Sequence, residues 1–289
     1  MNSIKKVAIQ GVSGAFHEIA SRQYFNNQPL EIIQCITFND LFDALLFGEA
    51  NYGVIAIENS LVGSIIPNYA LLRESKLKVL GEVFLRIEQH LMVLKGEKLE
   101  DIKEIHSHPM ALEQCLDFLN PLRRNRVRIL DAEDTALSAK RIADGNLKGV
   151  AAIASDLAAE MYDLEIINRS IETNKKNFTR FLVISSEENY LAQQKDILAN
   201  KASLCFRLPD EEGILSQVLS VLAFYKINLS KIQSLPVVGV EWEYLFYIDL
   251  VFNNYKKYKQ ALAAILPLTK ELTILGEYQK GFRPKENMI

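Results

Sequence analysis

The chain has 289 residues, 49% hydrophobic and 24% charged, a soluble globular composition with length enough for two domains. Its net charge of −3 gives no basic footprint, which argues against nucleic acid and for a small-molecule partner. Met1 to Gln10 lacks the apolar core of a signal peptide, and no apolar run reaches the roughly 18 residues of a membrane span. Cys35, Cys115 and Cys205 are too widely spaced for a disulfide framework or a zinc site. The expectation is a reduced, cytoplasmic protein with no membrane partner and no metal.

Up to about Ser185, strand and helix patterns alternate as in an α/β sheet. Strands are expected at 5–10, 31–36 and 54–57, with helices at 15–25 and 38–47; Thr37 and Asp40 suit a capping box on the second helix. A further strand at 102–106 leads into a helix at 110–119. The first design then recurs as a strand at 127–130, a helix at 135–143 and a strand at 150–153. Gly53-Val54-Ile55-Ala56-Ile57 lies on Gly149-Val150-Ala151-Ala152-Ile153, so two similar α/β lobes joined by crossovers are predicted, one crossover near 83–94. Open α/β sheets bind ligands beyond the carboxyl ends of their strands, which puts a cleft between the lobes.

Residues 187–200 are polar and read as a linker. Beyond them come strands at 202–208, 227–235, 244–252 and 272–278, with helices at 213–225 and 258–266. That order, βαββαβ, is the ferredoxin-like arrangement. The predicted boundaries are a two-lobed domain over 1–186, the linker, a second domain over 201–280 and a tail over 281–289.

Three polar segments stand where ligands are expected. Glu58-Asn59-Ser60 ends a strand, with Gly63-Ser64 close behind. Asn and Ser donate to carboxylates, Gly63 lets backbone amides approach, and an Asx-turn or helix cap explains the pattern equally well. Ser107-His108-Pro109 opens a helix, where free N–H groups favour an anion. Gln114 lies two turns on; Ser107 as a plain cap is the competing explanation. Asn177-Phe178-Thr179-Arg180 puts an amide, a hydroxyl and a guanidinium at the start of the apolar run Phe181–Ile184. Strand alternation sends Thr179 and Arg180 to opposite faces, so Arg180 either grips a carboxylate ligand or pairs with an acidic side chain. His108 offers a general base or a structural turn. Gly11-Val12-Ser13-Gly14 lacks the third glycine of a dinucleotide loop, and is expected to bring backbone N–H groups to the cleft. Together these residues fit a small dianionic organic acid.

In order and over almost the whole chain, these segments resemble the prephenate dehydratase family. Gly11 to Phe16, Ile57-Glu58-Asn59-Ser60 with Gly63-Ser64, Ser107-His108-Pro109 with Gln114-Cys115, and Asn177-Phe178-Thr179-Arg180-Phe181 are similar to its four motifs, with Ala56 where the family has proline. The resemblance implies a periplasmic-binding-protein-like catalytic domain that turns prephenate into phenylpyruvate without metal or organic cofactor. It implies Thr179 as the central catalytic residue, with Glu58, Asn59, Ser107 and Gln114 as further active-site positions. Ser60, Gly63, Ser64, Gly14, Ala15 and Arg180 are then expected to bind substrate. The second domain looks like an ACT domain, which implies L-phenylalanine as allosteric effector at Gly213, Ile214, Leu215, Gln233 and Ser234, and a homodimer or homotetramer. Gln233-Ser234-Leu235-Pro236 departs from the family's Glu-Ser-Arg-Pro, which bears on effector binding and leaves catalysis untouched. The rival readings are an arogenate dehydratase and a non-catalytic amino-acid sensor.

Overall fold

The structure is a computed structural model that describes residues 4–194, 198–237, 239–240 and 243–283. Part of the expected linker (195–197) and most of the expected tail (284–289) lie outside the described residues. The chain divides into two compact units. One comprises Met1–Gly63, Val83–Phe181 and Arg283–Ile289, the other Ser64–Glu82 and Leu182–Phe282.

The alternation expected from the sequence is present. In chain order come β1 (Lys5–Gln10), α1 (Phe16–Tyr24), β2 (Leu30–Cys35), α2 (Phe38–Leu46), β3 (Tyr52–Asn59), β4 (Gly63–Ser64), α3 (Ile66–Ser75), β5 (Lys78–Arg86), β6 (His90–Val93) and β7 (Glu104–Ser107). Then follow α4 (Pro109–Gln114), α5 (Leu116–Arg124), β8 (Arg128–Asp131), α6 (Thr135–Gly145), β9 (Val150–Ala154), α7 (Asp156–Met161), β10 (Glu165–Asn168) and β11 (Phe178–Ser185). The remainder is α8 (Glu187–Gln194), β12 (Lys201–Leu208), α9 (Ile214–Phe224), β13 (Asn228–Pro236), β14 (Tyr244–Val251), α10 (Tyr255–Ile265) and β15 (Lys270–Tyr278).

Local chemistry accounts for several of these boundaries. Thr37 and Asp40 form the expected capping box on α2, each satisfying the other's backbone N–H. Asp134 and Ser155 cap α6 and α7. The helix expected over 110–119 is in fact two, because Cys115 leaves helical geometry (φ −110°, ψ 20°) and separates α4 from α5. The break turns the Gln114 carbonyl to the Thr173 N–H, 2.7 Å away. Part of the polar stretch expected as linker is helical, as α8.

The first unit carries two sheets. One sheet has the order β2-β1-β3-β11-β5, with β4 against β3. The pairs β1–β2 and β1–β3 are parallel. The other sheet has the order β10-β6-β9-β7-β8, with β7 parallel to both neighbours and β6 antiparallel to both of its own. Apolar side chains cover both faces of the second sheet: Leu91, Ile105 and Ile153 cluster with Leu112 of α4 and Leu119 of α5, and Met92 clusters with Ala139 and Ile142 of α6 and Ala158 of α7. Burial on both faces is what a βαβ sheet requires.

In the second unit a four-stranded antiparallel sheet, β13-β14-β12-β15, carries α9 and α10. This is the expected βαββαβ topology, with Phe206, Val218, Leu250, Tyr258 and Ile265 at its core. Ser64–Glu82 belongs to the same unit for visible reasons. A side chain at Gly276 would collide with the Val79 carbonyl, so only glycine lets β15 approach β5 so closely. Lys201 on β12 meets Glu82 on β5 at 2.7 Å, both buried.

Candidate active site

The carboxyl end of β3 and the start of β11 place the site. Ser60 joins the two strands. Its N–H donates to the Phe178 carbonyl (2.8 Å), its hydroxyl donates to the Lys176 carbonyl (2.8 Å), and the Phe178 N–H donates to that hydroxyl (2.9 Å). Ser60, expected on substrate, is thus occupied in strand pairing.

Asn59 is the centre of the arrangement. Its Oδ1 accepts from the backbone N–H groups of Leu61 (2.8 Å) and Val62 (3.1 Å), an Asx-turn. Its Nδ2 donates to Asn177 Oδ1 (2.8 Å) and to Thr179 Oγ1 (2.9 Å). Backbone N–H groups only donate, so they fix which end of the amide is oxygen, and the sense of the whole cluster follows. Thr179 Oγ1 accepts from Asn59, and among the described residues it donates to no protein acceptor. Its proton is available to a ligand.

Asn177, fully buried, donates to Gln114 Oε1 at 2.9 Å. The same oxygen faces Gln89 Nε2 at 3.4 Å. Gln114 closes α4 and helps line a hollow of about 430 Å³ with Leu61, Val62, Met110, Glu113, Thr173 and Asn174. That volume is in the usual range for small-molecule sites. Thr179 is only 8% exposed and does not line the hollow.

Other expected residues are placed differently. Ser107 ends β7 and does not cap α4; its hydroxyl, fully buried, donates to the Ile153 carbonyl at 2.6 Å. The cap is His108, whose Nδ1 accepts from the Met110 N–H. The N–H groups expected of the glycine loop are also committed. Gly14 N–H donates to Glu18 Oε2 (2.9 Å) and Ala15 N–H to the Val12 carbonyl (3.1 Å). The loop instead holds the two halves of this unit together. A side chain at Gly14 (φ +89°) would meet Ala158 at 2.8 Å, and the Gly14 carbonyl accepts from Ser155 Oγ at 2.6 Å. Arg180, 3% exposed, pairs with Glu58 at 3.3 Å and lies over the Phe84 ring, so its partner is an acidic side chain of the protein. Gly63 adopts a left-handed φ of +90° with open space around it. Ser64 belongs to the second unit, where its hydroxyl accepts from Lys231 Nζ at 2.7 Å.

Sequence reasoning placed the Asn177 amide in the site's third segment and missed Gln89, its fellow donor to Gln114 Oε1. The available signal was Glu88-Gln89-His90, three consecutive polar residues that, with Arg86, interrupt the mainly apolar crossover 83–94. Among the described residues no group of side chains is arranged to hold a metal ion.

In the second unit, Gly213 caps α9 in the left-handed region (φ +77°), next to Ile214 and Leu215. Gln233 and Ser234 lie on β13, an edge strand, where Gln233 Nε2 donates to the Ser234 carbonyl.

Two α/β sheets carry a neutral cluster of one hydroxyl and three amides, of which Gln114 also lines the small hollow, in a protein of the α/β class. The chain belongs to the prephenate dehydratase family, whose model matches residues 7–189. It is 36% identical over 283 residues to arogenate dehydratase/prephenate dehydratase 2 of Arabidopsis thaliana, covering 94% of this chain and 72% of that protein. Prephenate dehydratase of Arthrobacter aurescens, solved in complex with L-Phe, superposes with a TM-score of 0.81 at 26% identity, covering 95% and 90% of the two chains. A structure described as a new type of quorum-quenching acylase superposes with a TM-score of 0.85 at 30% identity, covering 96% and 98%.

Proposed function

We propose that the chain converts prephenate to phenylpyruvate, losing carbon dioxide and hydroxide in one step. The observation that carries the reading is the fixed sense of the Thr179 contact: its oxygen accepts from Asn59, which leaves its proton for a substrate oxygen. In the reaction the ring carboxylate leaves as carbon dioxide, its bonding electrons enter the ring, and the ring C–O bond breaks to release hydroxide. Aromatisation supplies the driving force. The enzyme has to assist a poor leaving group. Thr179 does so by a hydrogen bond that strengthens as charge develops on the departing oxygen. Gln114 presents a donor to the substrate, a dianion that offers acceptors. Asn59 positions Thr179, and Glu58 holds Arg180; neither is free to grip the substrate in this arrangement. Ser107 braces β7 against β9.

The acylase likeness is less well supported by this geometry. Amide hydrolysis needs a nucleophile activated by a base, and the neighbour of Thr179 is an amide.

The βαββαβ portion is an ACT domain in this reading, and it senses L-phenylalanine. Support comes from its topology, from the left-handed Gly213 at the start of α9, whose N–H groups suit an amino-acid carboxylate, and from the L-Phe complex of the Arthrobacter relative. Gln233 and Leu235 stand where the resemblance expects an acid and a base. Losing both together strands neither charge, so inhibition persists in weakened form. The open edge of β13 suits pairing with a second copy, as a dimer or tetramer in the cytoplasm.

One assay tests these points. Purified, metal-free protein is given prephenate and arogenate side by side, with and without L-phenylalanine. Phenylpyruvate from prephenate is expected, slowed by millimolar effector. Turnover of arogenate alone would move the substrate to the amino acid, and no product from either would leave the sensor reading.

A further inference from the structure

We infer that Gln89 is a positioning residue, which sets the direction in which Gln114 presents its amide to the substrate. The inference rests on the proposed function and deepens it.

Hydrogen-bond polarity runs in one sense along the cluster. Two backbone N–H groups, of Leu61 and Val62, require an oxygen from Asn59. Asn59 therefore offers its NH₂ to Asn177, Asn177 offers its own NH₂ to Gln114, and Gln114 must answer with Oε1. An isolated amide has two nearly equivalent orientations. One hydrogen bond from Asn177 sets this sense but holds it weakly, because Gln114 sits at the end of a broken helix. Gln89 supplies the second donor to the same oxygen, at 3.4 Å. With both donors on Oε1, the Gln114 NH₂ group is left for the hollow it lines.

Gln89 is itself held firmly. It is 2% exposed; its N–H donates to Glu172 Oε2 at 3.0 Å and its carbonyl accepts from the Ile171 N–H at 2.8 Å. Its Oε1 is buried without a hydrogen-bond partner. A buried polar atom left unsatisfied is uncommon and costly. Gln89 retains it while its NH₂ group serves Gln114.

The test uses the full chain. Gln89→Met keeps the volume and removes the donor; kcat/KM for prephenate should fall roughly 10-fold, the worth of one hydrogen bond in a buried site. In a Gln114→Met background the same change should do nothing further, and independent, multiplying losses would overturn the inference. Gln89→Glu gives a readout that simple packing does not. Protonated, its carboxyl donates to Gln114 Oε1 and activity survives; ionised, it presents oxygen to oxygen and activity falls. Burial raises a carboxyl pKa, so kcat/KM of this variant should decline with rising pH across a range in which the wild type is flat. The neighbouring ionisable groups are Glu88, His90 and Glu172, the last paired with Arg86 and Lys175. They are common to both proteins and cancel in the ratio. Parallel pH profiles would also sink the idea, and Gln89→Glu serves if Gln89→Met does not fold. If the wild type makes no phenylpyruvate, the proposed function fails by itself. The Gln89–Gln114 cycle is then read in urea midpoints, where additive losses reject the inference.

Discussion

The cluster around Thr179 is partly buried and neutral, whereas the cluster around Lys201 is buried and charged. Asn59, Asn177, Gln114 and Thr179 exchange hydrogen bonds without an ion among them. In the second unit Lys201 meets Glu82 at 2.7 Å and Asp249 at 3.9 Å. Ser203 Oγ donates to Asp249 at 2.5 Å, and the Gly281 N–H donates to Glu82 at 3.1 Å. The charged cluster closes on itself, which is what buried ions require. The amide cluster is directional: it starts at two backbone N–H groups and ends at a hydroxyl proton with no acceptor among the described residues. A closed cluster holds strands together, and an open, polarised one can act on a ligand.

The comparison is broken most sharply at the open end. Thr179→Val removes the outward donor and nearly keeps the shape, so kcat should fall roughly 10²–10⁴-fold, the usual worth of a positioned proton-handling group. KM should change less, because the bond is assigned to the transition state. Asn59→Leu should lose turnover through Thr179 and not through substrate affinity. Steady-state kinetics on folded variants decide both points. Near wild-type turnover by Thr179→Val would remove the residue from its role.

At the closed cluster the expected effect is on stability. Lys201→Met leaves Glu82 buried beside an apolar chain and should cost about 3–5 kcal/mol, while Lys201→Met with Glu82→Leu should recover most of it. Denaturant midpoints check the pair; equal losses in the single and double variants would show that the charges are not coupled. The same contact bears on how regulation is tested. Deleting everything after Tyr190 would remove Lys201 from Glu82 and uncover Val79, which packs on Gly276. Loss of inhibition in such a truncation therefore cannot be separated from damage to β5, and inhibition is better measured on the intact chain.

How much of this was legible in the sequence follows the range of each interaction. Period and capping are local, so the strands, the α2 capping box and the βαββαβ order were readable. Alternation correctly sent Thr179 and Arg180 to different partners, Asn59 and Glu58. The break at Cys115 was hidden because the group that takes the Gln114 carbonyl, the Thr173 N–H, is remote in sequence. Ser107 reads from sequence as the anion-facing start of a helix, or as its plain cap, since nothing nearby shows that Ile153 on another strand accepts its proton. The Gly14 loop looked like a ligand cradle, because glycine's freedom reads the same whether a ligand or the backbone of α7 approaches. The grouping of Ser64–Glu82 with the C-terminal half rests on Gly276 and Lys201, far down the chain.

The smallest expected effect tests how the structure treats a buried polar atom with no network to join. His17 Nε2 is enclosed without a hydrogen-bond partner, beside the Phe181 ring edge-on at 5.0 Å and Phe38 at 5.6 Å. Burial disfavours the charged ring and pushes its pKa down to about 4. The unfolded chain protonates this histidine near pH 6.5, whereas the folded chain resists until about pH 4. Between those values the unfolded state binds more protons, so stability rises with pH and is lost as pH falls through the window. The loss is at most about 3 kcal/mol at the acid end. His17→Phe removes the titrating group and fills the same aromatic contact, so the variant should gain on the wild type as pH is lowered from 7 to 4.5. Urea midpoints for both proteins at the two pH values give the answer directly, because acid losses from carboxylates are shared and cancel. If the gap between the two proteins is the same at both pH values, His17 titrates normally in the folded chain and its ring is not sealed from water.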